Sequence, residues 1–484
     1  MIVASASDSD RLDPQLVRIG LVLVSGMIMS LLDTTIVNVA LDTLGRELHA
    51  GLATIQWVVT GYLLALAIVI PVSGWAIDRF GAKRMFMISV ALFTLGSVLC
   101  ATAWSVHSLI AFRVVQGLGG GMLLPVGQTI LARTAGPRRM GRMMSLIGAP
   151  MVMGPILGPI IGGVIVDSLA WEWIFLVNLP VGLVSLALCA RVLPADQPGG
   201  REPLDAIGLA LLSPALALLV YGLSRAGVKG TFGATEVWAA MTAGAVLVLV
   251  FVLRSRGLGE RALIPIAYFR DRGFSAASLV VTVIALSLFG AMLLLPLYFQ
   301  QVRGESAMAA GLLMAPQGLG AALAMPIAGR LTDRIGARRI VPFGVVLATL
   351  GTLPLTQVSD STSYWLLSTA LVVRGFGLGS TMMPSIAAGY ENLAASAASH
   401  ASTAINIFRQ VGASFGSALF AVILVNSYGA SARPSASAAA DAYGHTFWWA
   451  TGITASAFLF AFVLPRREAA PAAPGEAPAE VARL

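Results

Sequence analysis

Within SLLDTTIVNVAL (residues 30–41) every residue but one is uncharged, and the exception is Asp33. A charged side chain at the centre of a membrane span costs about 2.5–3.5 kcal/mol on insertion scales, and such residues usually carry function. Its counterpart is Arg113, which opens RVVQGLGGG (113–121). If successive apolar runs cross a membrane in alternation, Asp33 lies ~24 Å along a span that begins on one side. Arg113 lies ~8 Å into a span that begins on the other. The two therefore fall at comparable depth. There they can satisfy each other as a fixed ion pair, or change partners as a proton arrives.

The elements that position them must be membrane helices. The chain is 57% hydrophobic and 11% charged, with a mean hydropathy of +0.84. Soluble domains carry about 25% charged residues, so 484 residues of this composition cannot be covered by polar surface. Fourteen runs approach the roughly 20 residues needed to span a bilayer as helix, from 17–40 at the start to 445–464 at the end. The net charge of +8 is scattered in short basic clusters between these runs, which fits membrane topology and not a nucleic-acid-binding face. With residues 1–15 inside, the far side holds only Arg46, Arg225, Lys229, Arg303 and Arg433 of the 31 Lys and Arg. Arg113, Arg374 and Arg409 fall within spans, and the rest are inside. This bias predicts a multi-pass protein of the cell inner membrane with both termini cytoplasmic. The first run lacks a cleavage site of the A-x-A type and is read as a retained span.

The chain repeats. GWAIDRFGAKR (74–84) and GRLTDRIGARR (329–339) match as G-x-x-x-D-R-x-G-A-[KR]-R, and QGLGGGMLLP (116–125) pairs loosely with RGFGLGSTMMP (374–384). Related halves in a membrane protein point to a transporter with its site between them. The expected organisation is all-α: a six-helix bundle over 1–193, two inserted helices over 194–258, and a linker over 259–273 lying along the cytoplasmic interface. A second six-helix bundle follows over 274–465, then a disordered tail over 466–484.

Together with GPILGPIIGG (154–163), QWVVTGYLLALA (56–67), WEWIFLVNLPVG (171–182) and LPLYFQQVRG (295–304), these motifs resemble the major facilitator superfamily, in particular its fourteen-spanning drug:proton antiporters. The resemblance covers nearly the whole chain. It implies the major-facilitator fold and that Arg113 assists proton transfer while Asp33 serves proton coupling or cation contact. It also implies that GWAIDRFGAKR forms a cytoplasmic gate. In physical terms Gly74 permits close packing and Gly81 permits the turn. Asp78 can accept from Arg79 or Arg84, or face a helix N-terminus. The second copy keeps Asp333 and Arg334. A positive-inside signal alone would explain the basic residues but not the repeated Asp and Gly.

In GPILGPIIGG, Gly154, Gly158 and Gly162 recur every four residues and share one helix face, next to Gly163, with Pro155 and Pro159 bending or stiffening the span. Helix packing accounts for this pattern as well as a functional role does. The resemblance adds that it is associated with antiporters. Cavity candidates are Asn38, Gln56, Trp57, Tyr62, Gln116, Tyr298, Gln317, Asn406 and Arg409, with Phe299 and Met314 nearby. Ordinary packing or the interfacial belt accounts equally for each aromatic. Asp167 and His400 lie near span ends, where capping or interfacial hydrogen bonding is the simpler role.

No nucleotide-binding loop, catalytic constellation or metal-ligand spacing occurs, so no cofactor and no enzymatic reaction are expected. The expected partners are protons, the lipid bilayer and a small amphipathic molecule, exported by alternating access. A proton-coupled uptake permease, a non-transporting membrane protein and a dedicated exporter of one endogenous metabolite or lipid are the alternatives. Flux direction and substrate range separate them.

Overall fold

The computed structural model describes residues 13–136, 139–196, 203–428 and 436–465, and among these there are helices and no strand. The tail expected at 466–484 lies outside the described residues, as do Arg138 and Arg433. α1 (Pro14–Glu47) starts at Asp13, whose carboxylate accepts from the Gln15 N–H, with proline where no donor is needed. α2 (Leu52–Val69) gives way around Pro71 to a 3-10 turn and resumes as α3 (Ser73–Phe80). α4 (Ala82–Ala101) follows, then α5 (Val106–Ala135), which opens on a reciprocal Ser105–Ser108 cap. α6 (Met140–Ser168), the single turn α7 (Trp173–Leu176) and α8 (Asn178–Val192) complete the first group.

α9 (Ala206–Lys229) and α10 (Thr235–Leu258) form a hairpin. The second group is α11 (Arg272–Gln301), α12 (Ala307–Ile335), α13 (Ala337–Thr352), α14 (Tyr364–Ala388), α15 (Ala398–Ser427) and α16 (Ala436–Ala461). Among the described residues, twelve helical stretches are long and apolar enough to cross a membrane. Of the fourteen runs of the sequence, α6 (29 residues) and α16 (26 residues) are not among these twelve, and several side chains of α6 lie outside the described residues.

α1 packs on α6 and α8, and α5 on α2 and α4. In the second group α11 packs on α15 and α16, and α14 on α12 and α13. The groups meet where α6 lies along α12 and where α15 contacts α3 and α5. α9 covers the seam by packing on both α2 and α15, with Ser213 Oγ donating to the Ile68 carbonyl at 2.7 Å. α10 lies outside it and turns Leu249 and Leu253, each 56% exposed, to the surroundings. The starts of α1 and α6 meet through Gly20 and Leu146, and the residue after α16, Pro465, meets Gly273 at the start of α11. Both termini thus leave from one end, called here the terminal end.

The linker combines an exposed stretch, Gly259 to Arg261, with a buried one. Ala262, Leu263 and Ile264 are buried in protein. The Asp205 carboxylate holds them there, accepting the Leu263 N–H at 3.2 Å while pairing with Arg254 at 2.7 Å and capping α9 through Gly208. One buried anion thereby ties the hairpin to a strap running beneath the seam.

Candidate functional site

Asp33 and Arg113 are brought together. Both are fully buried, and Arg113 Nη1 donates to Asp33 Oδ2 at 2.5 Å. Gln116, one turn along α5, donates from Nε2 to Asp33 Oδ1 at 2.8 Å and accepts from Arg113 Nη1 at 2.6 Å. Ser97 of α4 takes a second donation from Gln116 at 2.7 Å. Asn178, the first residue of α8, reaches Asp33 at 3.5 Å and Ser97 at 3.3 Å. Arg113 Nε donates to the Val58 carbonyl at 3.1 Å, and its guanidinium lies 4.1 Å from the centre of the Tyr62 ring, a favourable cation–π placement. Tyr62 in turn exchanges a hydrogen bond with Ser30 at 2.8 Å. Arg113 Nη2 alone has no partner.

Removing two charges from water is costly, and their attraction offsets that only with good geometry and further hydrogen bonds. Here both carboxylate oxygens are occupied. A proton arriving at Asp33 would cancel its charge and leave Arg113 holding only neutral acceptors and a ring. Ser97 and Asn178 did not emerge from the sequence. Asn178 could have, since it is the one amide in WEWIFLVNLPVG. Ser97 sits in an apolar run without any pattern to mark it.

The other cavity candidates are dispersed. Trp57 stacks on Tyr221 of α9 with ring centres 6.0 Å apart. Asn38 is exposed and Gln56 half-buried. Tyr298 is buried in the second group, its hydroxyl donating to the Ser359 carbonyl at 2.7 Å, and Phe299 and Met314 belong to the same core. Gln317 accepts from Arg374, which also donates to the Ser287 carbonyl at 3.2 Å. Asn406 crosses the seam to Gln128 of α5 at 2.7 Å and accepts from Arg409 Nε at 3.3 Å.

At the terminal end the two repeats form matching turns. Gly81 has φ 92°, ψ 149° and Gly336 has φ 83°, ψ 153°, a region open essentially to glycine alone. Each repeat acid reaches the other half. Asp78 accepts from Arg133 at 2.6 Å and from Ser399 at 2.8 Å, and lies 3.3 Å from His400 Nε2. His400 Nδ1 in turn contacts the Leu263 carbonyl of the strap at 3.0 Å. Asp333 accepts from the Gly141 N–H and from Arg142 Nε, both at 2.8 Å. So each carboxylate lies at the start of a helix of the opposite group, α15 or α6, where the dipole and free N–H groups favour an anion.

Arg79, Arg84 and Arg334 are exposed. The main-chain N–H of Arg84 donates to Asp196 Oδ2 at 2.9 Å. Gly74 lies against Thr403, and the neighbouring Ser73 bonds Thr403 Oγ1 at 2.9 Å. The spacing of the repeat marked Asp78 and Asp333. Their partners lie from 55 residues away, Arg133, to more than 320, Ser399 and His400, beyond any local pattern.

Gly154, Gly158 and Gly162 all face α1. A Cβ on Gly158 would stand 1.9 Å from Thr35 Oγ1, whereas Gly163 has nothing within 4 Å. Thr35 Oγ1 also donates to the Gly154 carbonyl at 3.2 Å. This contact seats α1 two residues from Asp33. The side chains of Pro155, Pro159 and Asp167 lie outside the described residues.

A family model described as Major Facilitator Superfamily matches residues 23–417. The Multidrug resistance protein B homolog of Mycobacterium tuberculosis is 46% identical over 421 residues, which cover 87% of this chain and 78% of that protein. The Putative multidrug resistance protein MdtD of Cronobacter sakazakii is 31% identical over 447 residues, covering 90% and 91%. In fold, the chain is similar to the proton:xylose symporter XylE bound to 6-bromo-6-deoxy-D-glucose. The TM-score is 0.63 at 16% identity, over 92% of this chain and 94% of that one.

Proposed function

The chain belongs to the major facilitator superfamily, a multi-pass membrane transporter and not an enzyme, and we propose that it exports amphipathic drugs or related small molecules in exchange for protons. The observation that carries this reading is the sealed Asp33–Arg113 pair, whose carboxylate uses both oxygens. An acid so held has one consequential event open to it, the gain of a proton. The printed names of the relatives, which speak of multidrug resistance, support export over uptake.

In the proposed cycle the terminal end is cytoplasmic, as the distribution of Lys and Arg suggests. The Asp78 and Asp333 contacts hold that end closed. A proton from the outer side neutralises Asp33 and frees Arg113, and the two bundles rock so that the latches part. A proton can drive this only if it binds one arrangement better than the other. We extend the reading to fourteen spans, with α6 and α16 crossing as well, because α6 packs between α1 and α12 and α16 between α11 and α13. The α9–α10 hairpin then forms a unit between two six-helix bundles.

The test uses purified full chain in liposomes under an imposed pH gradient, with a panel of structurally unrelated amphipaths. Gradient-dependent movement of several of them, opposite in direction to the proton, is the expected result. Movement in the same direction as the proton would make it an uptake permease. Movement of one compound only would make it a dedicated exporter.

A further inference from the structure

Arg409 carries a charge that no residue of the described chain balances. The residue is 8% exposed, and no carboxylate lies within ion-pair distance among the described residues. Its Nε donates to Asn406 Oδ1, but its two terminal nitrogens make no hydrogen bond, and neither is among the nitrogens sealed from water. Asn406 and Ser402, three and seven residues earlier on α15, bond Gln128 and the Pro125 carbonyl of α5. Arg409 therefore continues the face that α15 turns to the first bundle. On the far side of Asn406 a second donor is also unmet: Gln128 Nε2 is buried without a partner. Asn406 thus bridges two groups, each with N–H donors that meet no acceptor among the described residues.

Buried polar groups are ordinarily paired, and an unpaired one calls for an explanation. Gln128 Nε2 is such a group, and Arg409 beside it is a largely buried cation whose terminal nitrogens are left to water, with no anion among the described residues. Both groups lack the same thing, an acceptor, and the charge of one asks for an anion. We propose that the seam between α5 and α15 is a subsite in which Arg409, with Gln128, receives the negatively charged head of an amphipathic cargo. This rests on the export reading and narrows its substrate class to anionic amphipaths. The first bundle contributes the proton-sensitive acid, and the second contributes a cation with no acid of its own. An anionic head satisfies the guanidinium, and its apolar body remains among the seam's apolar side chains. A carboxylate, sulfonate or phosphate head has the same recognition chemistry, since each offers two oxygens to the planar fork.

The experiment compares 1-anilinonaphthalene-8-sulfonate with its neutral parent, N-phenyl-1-naphthylamine. Binding of each to the full chain in nanodiscs is titrated without a pH gradient, and empty nanodiscs are subtracted. Wild type should bind the sulfonate more tightly than the parent. R409Q should weaken sulfonate binding about ten- to a hundredfold, the range of a charge-assisted hydrogen bond, and leave the parent unchanged. R409K should keep part of the preference. Equal affinity of wild type for both probes overturns the proposal whether or not a variant folds. So does a parallel loss of both probes in R409Q and R409K. A wild-type chain that prefers the sulfonate yet moves neither probe under a gradient keeps the subsite and removes the export reading.

Discussion

Replacing Asp33 by asparagine removes one charge and almost no volume. Arg113 then stands fully buried with no anion. Removing one partner of a buried pair costs about 3–5 kcal/mol, because the other charge stays behind. The contacts Arg113 keeps with the Val58 carbonyl, Gln116 and the Tyr62 ring exist in both proteins, so they do not reduce the difference. Nor does the amide substitute for the acid. Asp33 accepts with both oxygens, one from Arg113 and one from Gln116, whereas asparagine offers one oxygen and turns an NH2 toward a donor on the other side.

Arg113→Gln should cost a similar amount by stranding the carboxylate. The double variant strands nothing and should be no less stable than either single one. Unfolding of all four proteins in one detergent measures the cycle, with an expected coupling of about 3 kcal/mol or more, the lower end of the single cost. In liposomes all three variants should lose pH-driven efflux, including the double variant with its recovered stability. Single costs that simply add in the double variant would mean that the two residues are not charge-paired in the folded protein. Asp33→Asn protein that still couples flux to a pH gradient would remove Asp33 from the proton pathway.

Opening of the terminal end should respond unequally to its two acids. Asp333 is 4% exposed and Asp78 27%, so solvent screens Asp78 more and its contacts are worth less, about 0–1 kcal/mol each. With Cys100 and Cys189 replaced by serine, a Ser145→Cys reporter where α6 meets α12 should be alkylated faster in Asp333→Asn than in Asp78→Asn, and slowest in the parent. Equal rates in all three would mean that neither acid latches that end. Between α1 and α6, Gly158→Val should destabilise by about 1–3 kcal/mol through overpacking against Thr35, read as a lower melting temperature, while Gly163→Ala should leave it unchanged.

The sequence located Asp33 and Arg113 because depth in a span follows from counting residues at a fixed rise, and both stood out against apolar neighbours. It located Asp78, Gly81 and their second copies because a repeated spacing survives in each half. It did not pair Asp78 with Ser399 and His400, or Asp205 with the Leu263 N–H. Those depend on which face each helix turns to a helix hundreds of residues away, and local spacing is silent on that rotation. Gln116 and Tyr62 were named for a cavity, while Asn406 and Arg409 were named beside them. The structure sorts the first two into the acid cluster and the second two onto the seam.

What the chain settled alone is what composition and period can settle: that it lies in a membrane, as helices, in two related halves, with one acid held at depth. Which groups meet that acid, which ends of the halves are latched and which cation faces the seam with no acid beside it were decided by packing. A helix's own periodicity fixes how its residues are arranged around one axis, and only contact between axes fixes what they face.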